Sequence, residues 1–91
     1  MKYFVYIIQN NNSLRYIGQT SNLHERLLRH NTNRNKFTKG KDPWEIVIFT
    51  KCNSRCEACK LERKLKNFKN SDLAIEFLKK YNSQMVQSTP T

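Results

Sequence analysis

Carboxylates are scarce in this chain: 7 Asp and Glu stand against 17 Lys and Arg over 91 residues, a formal net charge of +10. On a compact domain such an excess builds a positive potential that attracts polyanions, nucleic acid foremost. The other reading of the same balance is a basic protein-interaction domain with no polyanion partner. No run of about 18 apolar residues occurs, which excludes a membrane-spanning helix. The apolar run Tyr3 to Ile8 is short and no small-residue cleavage site follows it, so the chain reads as cytoplasmic and intracellular. Cysteines number 3, and an odd count argues against a disulfide framework. Glycines number 2, Gly18 and Gly40. Internal repeats and interdomain linkers are missing too, and the length bounds one domain with a single small core.

What is present is a globular composition, 37% apolar and 11% aromatic. Phe4 to Ile8 and Leu14 to Thr20 are β-rich runs joined by the polar cluster Gln9 to Ser13, which predicts an antiparallel hairpin. A loop-free register would bring Tyr6 and Tyr16 close across it. Gly18, at the end of the second strand, leaves room for a backbone or phosphate to approach. Asn22 followed by Glu25 predicts a capped helix with Leu23, Leu27 and His30 on the inward stripe and Arg26 on its flank. Asn31 to Pro43 reads as a long basic loop with Gly40 at a turn. Trp44 to Thr50 reads as a third strand, apolar on both faces and covered on two sides by helices. Ser54 and Glu57 open a second helix with Ala58, Leu61, Leu65 and Phe68 inward and Glu62 at the stripe's edge. A last helix runs from about Ser71 to Tyr81, with Leu73, Ala74, Phe77, Leu78 and Tyr81 inward. The expected architecture is a small α/β (α+β) domain over residues 1–81, a mostly antiparallel three-stranded sheet flanked by three or four helices. Residues 82–91 lack periodicity and are expected to form a disordered tail.

Tyr6, Tyr16, Arg26, His30 and Glu62 together hold what a one-metal phosphodiesterase needs. Mg²⁺ keeps most of its waters and takes oxygen ligands, so one carboxylate beside substrate phosphate oxygens suffices. The Arg26 fork fits a phosphate and its developing charge. A tyrosine is a weak base, and a positively charged, partly dry pocket would favour its phenolate. Each residue also has a plain structural reading: tyrosines as strand packing, Arg26 and His30 as a solvated pair, Glu62 as an i, i+4 partner of Lys66. Arg29, and in the basic segment Arg34, Lys36, Phe37, Lys39 and Lys41, suit phosphate contact with base stacking. Cys52-x3-Cys56-x2-Cys59 matches the spacing of radical-SAM cluster ligands, but the chain is too short for their barrel and offers no evident fourth ligand for zinc. Packing explains these cysteines better, Cys56 and Cys59 serving as small fillers in the first turns of the second helix.

In order and spacing these residues resemble the GIY-YIG nuclease superfamily. Phe4-Val5-Tyr6 stands where that family has its GIY triplet, and Tyr16-Ile17-Gly18 matches YIG. Thr20 to Asn31 is similar to the helix carrying the family's arginine and a following histidine. Lys36-Phe37-Thr38-Lys39-Gly40 resembles the KFTRG loop of the small single-domain bacterial branch, which is similar to the catalytic domain of structure-selective nucleases acting on branched DNA. Glu57 to Glu62 resembles the helix ending in the metal-binding glutamate. The resemblance implies a DNA endonuclease using Mg²⁺ or Mn²⁺, on branched or flap DNA, alone or with a protein partner or as a homodimer. It further implies Tyr16 as general base, Tyr6 hydrogen-bonded near the scissile phosphate, Arg26 neutralising it, His30 supporting the pocket or sharing proton transfer, and Glu62 holding the ion. Two positions depart from the pattern. Gln19 stands where some members carry a lysine, and Asn67, Asn70 and Asn82 do not sit at an obvious match to the family's late asparagine. The alternative implied is a nucleic-acid-binding module of the same fold with little or no turnover.

Overall fold

A computed structural model describes residues 2–32, 40 and 43–87, side chains of 83–87 excepted. Three strands form one antiparallel sheet: β1 (Tyr3–Asn10), β2 (Arg15–Thr20) and β3 (Trp44–Cys52), in the order β2-β1-β3. The helices are α1 (Leu23–Asn31), α2 (Arg55–Lys66) and α3 (Ser71–Gln87).

The hairpin forms because Asn10 folds its side chain back into the turn. Its Oδ1 accepts from the Asn12 and Leu14 amides at 3.0 and 2.9 Å. Ser13 takes the left-handed conformation that closes the loop, at φ 65. α1 starts where Asn22 accepts from the Glu25 amide at 3.1 Å, α2 where Ser54 accepts from the Glu57 amide at 3.1 Å. Asn70 accepts from the Leu73 amide at 3.0 Å and so caps α3.

β1 is the central strand, and Val5, Tyr6, Ile7 and Ile8 are all buried. Val5 and Ile7 face a core with Cys52, Ala58, Leu61, Leu65, Ala74, Ile75 and Leu78, built from α2 and α3. Tyr6 and Ile8 face the other way, onto Trp44, Ile46, Tyr16, Leu23 and Leu27, beneath α1. The sheet is thus a middle layer, with Tyr6 and Tyr16 on the α1 side.

β3 differs from the expectation of a strand covered on both faces. It is an edge strand, and Val47 and Phe49 are exposed. Its alternation also breaks: Ile7 pairs with Ile48 but Ile8 with Ile46, so Val47 is an extra residue without a partner. That bulge turns Ile46 toward α1 while Ile48 stays with α2 and α3, where strict period-two alternation would put both on one face. α3 also departs from its expected bounds. It continues past Tyr81 to Gln87, and the Asn82 side-chain amide donates to the Phe49 carbonyl at 3.1 Å. Leu73 is exposed, and Ile75, which the sequence reading missed, is buried instead. The cysteines are not alike: Cys52 is buried, but Cys56 and Cys59 are exposed and fill no core.

Candidate functional site

The register sets the site. Tyr6 lies opposite Gly18, and Tyr16 lies opposite Ile8, one diagonal step along the same face. The phenol of Tyr6 occupies the space above Gly18. A Cβ on that glycine would lie 2.6 Å from Tyr6 Oη and 3.0 Å from Tyr16 Cε2. The glycine's room is therefore filled by a tyrosine of the same protein, not left for a phosphate. The two tyrosine rings are 6.5 Å apart, and His30 of α1 closes the triangle at 5.9 Å from Tyr6 and 5.0 Å from Tyr16.

Tyr6 Oη lies 2.9 Å from His30 Nε2. Burial is the main influence on Tyr6 and holds its phenol well above the usual range; the neighbouring Tyr16 and Glu62 push the same way, against the charge and hydrogen bond of Arg26. Burial therefore overrides the cation, and the expectation that a positive pocket favours phenolate fails at Tyr6, which is a neutral hydrogen-bonding group. His30 is pulled down to about 4, chiefly by burial and secondly by the Arg26 guanidinium. It is neutral near pH 7. Donor and acceptor in the Tyr6–His30 pair are set by the imidazole tautomer, since a neutral ring nitrogen either donates or accepts. The result is a buried Tyr6–His30 pair with the Arg26 guanidinium within electrostatic reach of both.

Glu62 is the carboxylate of this region. Its side chain is 18% exposed and its Oε2 lies 2.7 Å from Lys66 Nζ. It lines a cleft of about 410 Å³ with Gln19, Cys59, Arg63, Lys66 and Asn67. A second cleft of about 370 Å³, lined by Tyr3, Thr20, Ser21, Arg26 and Arg55, meets it at Gln19. A third, holding Tyr16 with Arg15, Lys69 and Asn70, meets it at Lys66. Arg26, Glu62 and Tyr16 thus open onto three adjoining clefts along the β2–α2 margin, and the charge of Glu62 is felt at Tyr6. Among the described residues no group of three or more His, Cys, Asp or Glu is arranged for a metal. A single half-buried carboxylate already engaged by a cation is a donor set that fits a hard, mostly hydrated divalent ion and does not fit zinc.

Of the asparagines, Asn67 lies in the Glu62 cleft and Asn70 in its neighbour, while Asn82 is turned to Phe49. Gln19, at the position of the family's occasional lysine, donates to Cys59 Sγ at 3.0 Å. Arg29 stands apart, exposed on α1 and 3.8 Å from Glu25. Arg34, Lys36, Phe37, Lys39 and Lys41 lie outside the described residues. Arg55, Arg63, Lys66 and Lys69, which the sequence did not single out for the site, line the same clefts. Their signal is in the sequence: with Cys59 and Glu62, the first three follow one helical stripe beside Ala58, Leu61 and Leu65.

The GIY-YIG catalytic domain family matches residues 2–82. A UPF0213 protein of Oceanobacillus iheyensis is 33% identical over 66 residues, covering 71% of this chain and 77% of its own length. One from Listeria welshimeri is 34% identical over 74 residues, covering 78% and 82%. The solution structure of a UPF0213 protein from Bacillus halodurans shares the fold, with TM-score 0.50 and 23% identity over 98% of this chain and 86% of that one. No helix among the described residues is long and apolar enough to cross a membrane. The match implies nuclease-type function and a nucleic-acid substrate, with a divalent metal as the family's general requirement. The chain belongs to the GIY-YIG catalytic domain family, among its small UPF0213 members.

Proposed function

We propose that this protein is a divalent-metal-dependent DNA endonuclease that hydrolyses phosphodiester bonds with the tyrosines, Arg26, His30 and Glu62. The observation that carries the reading is the buried Tyr6–His30 hydrogen bond, set against Tyr16 and within electrostatic reach of Arg26 and Glu62. A structural hydrogen bond alone would not need a guanidinium held beside a neutral phenol.

Tyr16 is the general base. It is half-buried and lines a cleft, unlike Tyr6, which is buried and hydrogen-bonded to His30. Tyr6 orients the phosphate and fixes the Arg26 fork, which stabilises charge as the bond breaks. His30, neutral, holds the Tyr6 hydroxyl in place through Nε2. Glu62 would hold Mg²⁺ or Mn²⁺, which when bound supplies Lewis-acid neutralisation of the phosphate. Lys66 occupies that carboxylate meanwhile and keeps it from standing as an unpaired, partly buried charge. The basic segment with Lys36, Phe37, Lys39 and Lys41, together with Arg29 and Arg34, adds contacts to DNA.

The test is cleavage of branched, flap and linear DNA by folded protein with Mg²⁺, with Mn²⁺ and with chelator. Tyr16→Phe and Glu62→Gln are each expected to lower turnover by at least about a hundredfold while DNA binding survives. Binding without cleavage by the unaltered protein in either metal would overturn the enzyme in favour of a binding module of the same fold.

A further inference from the structure

We propose that one strand of the nucleic acid lies along the β2–α2 margin, its phosphates held by Arg55, Arg63 and Lys69, residues outside the family's motifs. The inference rests on the nuclease reading and gives that activity a path for its substrate. Three clefts, of about 370, 410 and 340 Å³, adjoin along this margin, the first and second at Gln19 and the second and third at Lys66. Their linings carry Arg15, Arg26, Arg55, Arg63, Lys66 and Lys69 against a single acid, Glu62.

The rest of the charge pattern sharpens this. Carboxylates elsewhere offset cations away from the groove or tie down its end: Glu25 faces Arg29, Glu76 faces Lys79, and Asp72 holds Arg15. Glu57 accepts from the Tyr81 hydroxyl at 3.2 Å. Among the described residues no carboxylate is paired with Arg55, Arg63 or Lys69, and all three are exposed. Like charges gathered in one groove repel, and a solvated basic face scattered over the surface would avoid that cost. A polyanion relieves it.

Length agrees. Arg55 and Lys66 are the first and last residues of α2, about 16 Å apart at the helical rise. A strand laid along that length presents more than one phosphate to it. Glu62 lies within this span and Asn67 just past its end, so a strand following the groove passes the carboxylate instead of ending at it.

The measurement is the salt dependence of binding to a fluorescein-labelled flap DNA, in a Glu62→Gln background that prevents turnover. Each of Arg55→Gln, Arg63→Gln and Lys69→Gln is expected to reduce the slope of log K against log[salt] by about 0.7 to 0.9, and the triple variant by about 2 to 3. Lys79→Gln and Lys80→Gln, on α3, each remove one charge as the single groove variants do, and as controls should leave the slope unchanged. Circular dichroism checks the fold of each variant, and the single variants carry the test if the triple one unfolds. Groove variants that keep the parent slope, in a parent that binds steeply, overturn this path and leave the nuclease reading intact. A parent that fails to bind the DNA at low salt overturns both.

Discussion

At the scale of single residues, the site depends on one missing side chain. Tyr6 is buried and fixed by His30, so it cannot swing away from an added methyl at residue 18. Gly18→Ala would put Cβ 2.6 Å from its oxygen and 2.8 Å from Cζ. Overpacking of this kind costs about 1–3 kcal/mol. The variant is expected to unfold at lower urea and to lose most of its cleavage, because the phenol must move off its bond to His30. An alanine variant with parental stability and rate would show that the ring has slack. His30 gives a second handle, on pH. Its folded pKa, about 4, is below the 6.5 of an exposed imidazole, so the unfolded chain takes up the proton first. Stability is therefore complete above about pH 6.5 and declines as pH falls toward 4, by about 3 kcal/mol at most from this group. The groups facing it are Arg26, Tyr6 and Tyr16. Urea unfolding at pH 7 and pH 5 should show the loss, and His30→Gln should remove that part of it; equal slopes in both proteins would assign the acid sensitivity elsewhere.

At the scale of elements, the question is what keeps α1 pressed on the sheet, since α1 carries both Arg26 and His30. Leu23 and Leu27 supply the apolar contact, but they are only half-buried. The end of the helix is fixed by Asn31, whose Oδ1 accepts from the Trp44 amide at 2.6 Å and whose Nδ2 donates to the Trp44 carbonyl at 3.2 Å. One side chain thus ties the last residue of α1 to the first of β3. Asn31→Ala is expected to cost about 1–3 kcal/mol, as partly buried backbone groups lose partners, and to speed amide exchange through α1 before β1. Unchanged exchange in α1 would mean the leucines suffice. Elements with a local cause were legible from sequence: the caps at Asn22 and Ser54, the polar hairpin turn, and the stripe Ala58, Leu61, Leu65. What was not legible depends on pairing. No local pattern marks Val47 as an extra residue, because the bulge exists only against Ile7 and Ile8 of β1. The continuation of α3 past Tyr81 is likewise invisible in an apolar stripe, and Asn82 is held by a carbonyl of another element. The site followed the same rule. Residue types and order suggested Tyr6, Tyr16, Arg26, His30 and Glu62, whereas the neutral state of Tyr6 follows from burial, which sequence does not reveal.

At the scale of the whole molecule, charge and size set two opposite responses to salt. The net charge is +10 and the radius of gyration 13.3 Å. At ~0.01 M ionic strength the screening length is about 30 Å, longer than the molecule's radius, so every cation repels every other; at ~0.15 M it is about 8 Å and only neighbours interact. Self-repulsion of this kind weakens the compact state. The free protein is therefore expected to melt at a higher temperature as NaCl is raised from low to physiological strength. Bound DNA reverses the sign, because a ligand stabilises the fold by mass action and this ligand is released by salt. With DNA in excess, the melting temperature should be highest at low salt and fall as salt is added, until the two curves meet. A thermal melt at several NaCl concentrations, with and without DNA, reads both at once. If the free protein's melting temperature were flat with salt while the bound one fell, charge would matter for binding but not for folding, and the groove's repulsion would be too local to strain the molecule. If both were flat, the positive excess would serve neither, and nucleic acid would be the wrong partner for this surface.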